Sequence, residues 1–139
     1  MISICMASSV KTSQSESQNI DKSTLNKLAR IAAKARVSRL DKSQVNNLLE
    51  MLYSTNNPEL LLIYLARQAG RNEIDKDVAR ELYEILNNKN LNEAVQILGI
   101  FKWLFEAGER TRDFDQFLRQ TANQNQLLEE YIKFVLRGR

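Results

Sequence analysis

LDKSQVNNLLEML at residues 40–52 and LLLIYLARQAGR at residues 60–71 are the clearest helical signals in the chain. Asp41 is placed to accept a hydrogen bond from a free backbone N–H, and Gln44, three positions on, completes a capping-box-like pattern. The second stretch is apolar around nearly its whole circumference until Arg67, and Gly70 offers the left-handed conformation that closes many helices. Arg71 is thereby left at a helix end, next to solvent.

The punctuation on both sides of these stretches is helical as well. Thr24 to Val37 predicts a first helix, Lys42 to Ser54 a second, and Pro58 opens a third because its missing N–H is harmless in a first turn, with Asn57 as cap. A fourth starts near Asp75 and reaches Asn87, with acids in its first turn where the helix dipole favours them. A fifth covers Leu91 to Ala107, closed by Gly108. The last covers Asp113 to Leu136, with a bend expected at the Asn-Gln-Asn-Gln run of residues 123–126. There is no alternating strand pattern and no repeat of domain-building length. The expected fold is all-α, a compact bundle of five to six helices over residues 20–139. Residues 1–19, rich in Ser, Gln and Lys, are expected to form a disordered tail.

Composition narrows the chemistry. The 139 residues suit one domain that buries roughly 68–70% of its unfolded surface, enough for a core without disulfides. There is one cysteine, Cys5, and no histidine, so zinc sites and imidazole-activated nucleophiles have neither ligand nor base. The carboxylate pairs Glu81/Glu84, Glu106/Glu109 and Asp113/Asp115 are interleaved with Lys and Arg on surface turns, a poor basis for a two-metal centre. No catalytic residue, metal or cofactor is expected. No leader or membrane-spanning stretch is recognisable, so a cytoplasmic protein without membrane contact is expected.

The net charge is only +3, so placement matters more than amount. At 100° per residue, Lys27, Arg30 and Lys34 fall in one arc of the first helix, opposite Leu25, Leu28 and Ala32. Arg36, Arg39 and Lys42 continue the ridge, and from residue 21 to 42 only Asp21 and Asp41 oppose it. Such a row suits a phosphate backbone, and equally a solvated face that binds nothing. Arg67 and Arg71, four apart, could grip one phosphate or pair with Glu73, Asp75 and Asp77. Arg110 and Arg112 have Glu109 and Asp113 beside them and read as internally paired. The fifth helix, AVQILGIFKWLFEA, is apolar on two faces: Ala94, Leu98, Phe101 and Phe105, then Ile97, Ile100 and Leu104. That makes it the bundle's centre or a subunit contact, with Trp103 and Tyr64 expected in the core, polar tips near the rim.

Three segments carry a resemblance. Leu40-Asp41-Lys42-Ser43-Gln44-Val45 resembles a Leu-Thr-x-x-Gln-aliphatic helix start, Gln68-Ala69-Gly70-Arg71 a Gln-small-Gly-Arg ending, and Ile100–Phe105 a later aromatic helix. In that order and approximate spacing they are similar to the small helical subunit of type III-A CRISPR RNA-guided effector complexes, over roughly Leu25 to Glu109. Asn46 departs from an Arg frequent in that family, Arg67 from an aromatic, and the final helix extends past the similarity. The resemblance implies a non-enzymatic antiviral subunit that stacks in copies and meets guide and target RNA through basic side chains without reading sequence. Its partners would be backbone subunits and a large polymerase-like subunit. Arg71 and Lys42 take the RNA-facing positions of the matched segments, and Lys27, Arg30, Lys34 and Arg67 complete the expected phosphate contacts. The small subunits of type I-A and III-B effectors are basic helical bundles too, and a helical protein–protein adaptor is the alternative from another class.

Overall fold

The computed structural model describes residues 20–137. Seven helices are found among these described residues: α1 Lys22–Val37, α2 Lys42–Thr55, α3 Pro58–Gly70, α4 Lys76–Leu86, α5 Leu91–Ala107, α6 Phe114–Gln120 and α7 Leu127–Leu136. The all-α expectation holds, with one helix more than the five to six expected. The tail expected at residues 1–19 and Cys5 lie outside the described residues.

Most boundaries follow from side chains that satisfy the free N–H groups of a first turn. Asp21 accepts from Thr24 N at 2.9 Å, which starts α1 two residues earlier than expected. Asn57 accepts from Glu59 N at 2.9 Å and Leu60 N at 3.4 Å, in front of Pro58. Asn90 and Glu93 form a reciprocal capping box at the head of α5.

Three local expectations are corrected. Gln44 does not turn back to cap α2; its side chain points inward, to Gln68 and Glu73. Gly70 remains helical, and the left-handed residue after α3 is Asn72, with φ 64°. The final helix breaks outright: Thr121 ends α6, its hydroxyl donating back to the Phe117 carbonyl, and residues 122–126 are non-helical. The amide-rich run is held in that form by Asn26 on α1. Its Nδ2 donates to the Asn125 carbonyl at 2.9 Å, and its Oδ1 accepts from Leu128 N at 2.9 Å, a stand-in cap for α7.

The centre of the bundle is α1, not α5. Helices α4, α5, α6 and α7 all pack against it, while α2 bridges α3 and α5, and α3 bridges α2 and α4. Composition explains the placement: Ala29, Ala32, Ala33 and Ala35 are buried with Leu28 and Ile31, so small side chains let neighbours approach α1 from several sides. On α5 the face of Ala94, Leu98, Phe101 and Phe105 is buried together with Ile97, whereas Ile100 and Leu104 are half-buried. Trp103, expected in the core, is 73% exposed; Tyr64 is half-buried.

An aromatic cluster joins α6 and α7. Phe114 stacks on Tyr131 with centroids 5.5 Å apart, Phe117 meets Phe134 at 5.0 Å, and the buried Tyr131 hydroxyl donates to the Leu104 carbonyl. Burial pushes the Tyr131 phenol above its ordinary value. Gly108 fits beneath this cluster: a Cβ there would lie 2.7 Å from Phe114 Cζ and 2.9 Å from the Tyr131 oxygen. Its φ of −91° is open to any residue, so the requirement is purely one of space. Gly108→Ala is therefore expected to cost about 1–3 kcal/mol, the usual penalty of overpacking, measurable as a lowered urea midpoint at unchanged slope.

Candidate nucleic-acid interface

The expected basic ridge of α1 is not free. Lys34 Nζ donates to Asp77 Oδ2 at 2.9 Å and to Glu81 Oε2 on α4, while Arg30 Nη2 meets Glu81 Oε1 at 3.3 Å. Glu81 keeps only 14% of its side chain exposed and Lys34 28%, so these charges are largely withdrawn from solvent. Lys27 faces the same seam one turn further down, exposed and without a carboxylate within ion-pair distance among the described residues, beside Glu84 and Lys89. The reason is a register match. Asp77, Glu81 and Glu84 repeat at the three- and four-residue spacing of Lys27, Arg30 and Lys34, and α1 and α4 pack together. The ridge is first an internal electrostatic seam.

A different set of cations gathers at one end of the bundle. The turn after α1, residues 38–40, and the loop before α4, residues 72–76, together line a groove of about 380 Å³. The adjacent end of α1, with Arg36 and Arg39, lines a second groove with the α5–α6 connection and Arg112. Lys42 opens α2 at this end, and Arg71 follows α3 there. Lys42, Arg67 and Arg71 are all exposed, as is Arg39. None of the four has a carboxylate within ion-pair distance among the described residues, so the internal pairing considered for Arg67 and Arg71 does not form.

The acids nearby are occupied in another way. Asp41 accepts from Ser43 N at 3.3 Å, and Asp75 accepts from Asp77 N at 3.1 Å and Val78 N at 3.3 Å, each capping a helix that starts at this end. Glu73 accepts from Gln44 Nε2 at 3.4 Å. Helix geometry thus separates the signs. The acids at these helix starts keep their charge but are held against backbone N–H groups, while the exposed cations at the ends of α1 and α3 sit beside the negative ends of the helix dipoles.

The glutamines of the two segments, Gln44 and Gln68, are scaffolding. Gln68 Nε2 donates to Gln44 Oε1 at 2.8 Å, both side chains being buried, and Arg67 Nη1 donates to Gln68 Oε1 at 2.9 Å. The Gln68 carbonyl also accepts from Glu73 N at 2.9 Å and Ile74 N at 3.3 Å. This network ties α2, α3 and the α3–α4 loop together and fixes where Arg67 and Arg71 emerge. No protein-family model matches the chain, and no curated protein is significantly similar to it.

Arg36, expected in the ridge, serves the fold. Its Nε and Nη2 donate to the Phe105 carbonyl at 3.0 and 2.6 Å, and its guanidinium lies 3.8 Å from the Phe105 ring centroid. Arg110 and Arg112 also depart from expectation. The expected pairing with Glu109 and Asp113 does not form among the described residues, and both arginines are exposed. The signal was present in the missing i,i+4 geometry: neighbours one residue apart point in different directions and seldom pair.

Of the carboxylate pairs, Glu81 is held by Arg30 and Lys34, and Asp115 lies 3.5 Å from Arg119. Among the described residues no three His, Cys, Asp or Glu side chains gather as a metal site requires, and no helix is long and apolar enough to cross a membrane.

Proposed function

We propose that this chain is a non-catalytic, RNA-binding subunit of an RNA-guided antiviral complex of the type III CRISPR kind. In this reading it holds the phosphate backbone of guide or target RNA without reading bases. The observation that carries the proposal is the set of exposed cations Arg39, Lys42, Arg67 and Arg71 at one end of the bundle, none of them in an ion pair among the described residues, beside Asp41 and Asp75, which cap helices. The resemblance of the Gln44 and Gln68–Arg71 segments supports it, because the glutamines lock together the two helices that present these cations. Arg71 and Lys42 keep the role the resemblance gives them. Lys27 lies on the flank of α1 and makes no phosphate contact in this reading, and Arg30 and Lys34 belong to the α1–α4 seam.

Four phosphates neutralised on a flexible or duplex RNA release their counterions, so log K should fall against log salt with a slope of about −2.8 to −3.6. Titration of a fluorescent RNA between 50 and 300 mM salt measures this, and a flat response would rule out the electrostatic mechanism. One observation favours the adaptor reading: Trp103 is 73% exposed beside half-buried Ile100 and Leu104 on α5. Under that reading the RNA affinity is absent and Trp103 is the contact with a partner protein.

A further inference from the structure

The α5–α6 connection and the end of α7 enclose a groove of about 830 Å³, at the upper end of the size range of small-molecule sites. Its charge comes from Arg110, Arg112 and Arg137, none of which has a carboxylate within ion-pair distance among the described residues. Asp113 shares the lining and offsets one of the three, leaving an excess of positive charge. Phe134 supplies an aromatic surface, with Arg137 above its ring at 5.8 Å, and Gln116 and Gln120 supply amide donors and acceptors. The ring is fixed from behind by Phe114 and Phe117, at centroid distances of 5.2 and 5.0 Å.

Cations, a fixed ring and amides in one groove match the three parts of a nucleotide: phosphate, base face and base edge. A duplex keeps its base faces stacked inside, so only an unpaired nucleotide can use Phe134. We infer that this groove receives an unpaired nucleotide of an RNA strand, its phosphate on Arg110, Arg112 and Arg137 and its base against Phe134. The inference rests on the RNA-binding reading and adds a preference that phosphate contacts alone cannot give. It lies outside the segments that carry the family resemblance, on the helix pair that extends past them. Arg39 and Arg112 line the groove between this site and the turn after α1, so one strand could follow both.

The test compares the full-length protein on a single-stranded RNA carrying 2-aminopurine and on a duplex of equal length. Single strand should bind about tenfold tighter or more, with quenched fluorescence, as expected for stacking of one base. Phe134→Leu should remove the quenching and the preference while leaving duplex affinity unchanged. Because Phe134 also touches the aromatic cluster and Arg137 lies over its ring, the exposed Arg112→Glu provides a second variant away from the ring, and it should weaken single-strand binding several-fold. Equal affinity for both RNAs in the unaltered protein, or single-strand affinity within twofold in both variants, overturns the groove assignment alone. Binding of neither RNA overturns the RNA-binding reading and this inference with it.

Discussion

Lys34→Glu should destabilise the protein by about 2 kcal/mol or more, lowering the melting temperature by roughly 6–10 °C. The substitution places a third carboxylate against Asp77 and Glu81, where the ammonium now donates to both. Glu81 is left with Arg30 alone in a site mostly shielded from water. Lys34→Met removes the charge without adding repulsion and should cost less. The seam also predicts a pH window. Burial by itself would lower the Lys34 ammonium, but its hydrogen bonds to Glu81 and Asp77 outweigh burial and hold it above its ordinary value of 10.5. Its contribution is therefore complete below that value and is lost as pH rises through the raised one. The hydrogen bond from Lys34 chiefly holds the Asp77 carboxyl below its ordinary value of 3.8, so its contribution is present above 3.8 and is lost as pH falls through the lowered value. Melting temperatures measured across pH should show a plateau between these limits whose acid and alkaline edges are blunted in Lys34→Met. Unchanged melting in Lys34→Glu would mean the seam contributes nothing.

The second large effect is on binding. Reversing Arg39, Lys42 and Arg71 together to Glu should weaken RNA retention by about 100-fold, equivalent to about 2.7 kcal/mol. It should also flatten the salt dependence by roughly 2 units of slope, at about 0.7 to 0.9 per contact. All three side chains are exposed and make no ion pair among the described residues, so the circular dichroism spectrum and melting temperature should be retained. Reversal of Lys27, Arg30 and Lys34 is a poor probe by comparison. It would break the α1–α4 seam, and the lost binding would report unfolding.

What could be read from the residues alone was mostly local. Caps at Asn57 and Asp75 act within three residues of themselves, so their geometry is written in their neighbours, and the ends of α5 fall where they are expected. Long-range choices were less visible. Nothing local shows that Asn26 would hold open the break between α6 and α7 from 99 positions away, or that Gln44 would prefer Gln68 to its own helix start. The central role of α1 is hidden in the sequence because alanine reads as neutral in a helical pattern, although four buried alanines are what allow several helices to crowd it. For the site, Arg71 and Lys42 were legible as cations at helix ends. The fate of Arg30 and Lys34 depended on which helix packs beside α1, which the matching row Asp77, Glu81 and Glu84 could have suggested.

In the proposed reading, phosphates meet the cations around the α1–α2 turn and the α3–α4 loop, and not the flank of α1. The salt slope of RNA binding in Arg71→Gln and in Lys27→Gln, each against the unaltered protein, measures it most directly. The slope should be shallower by about 0.7 to 0.9 for Arg71→Gln and unchanged for Lys27→Gln. A shallower slope for Lys27→Gln with Arg71→Gln unchanged would contradict it.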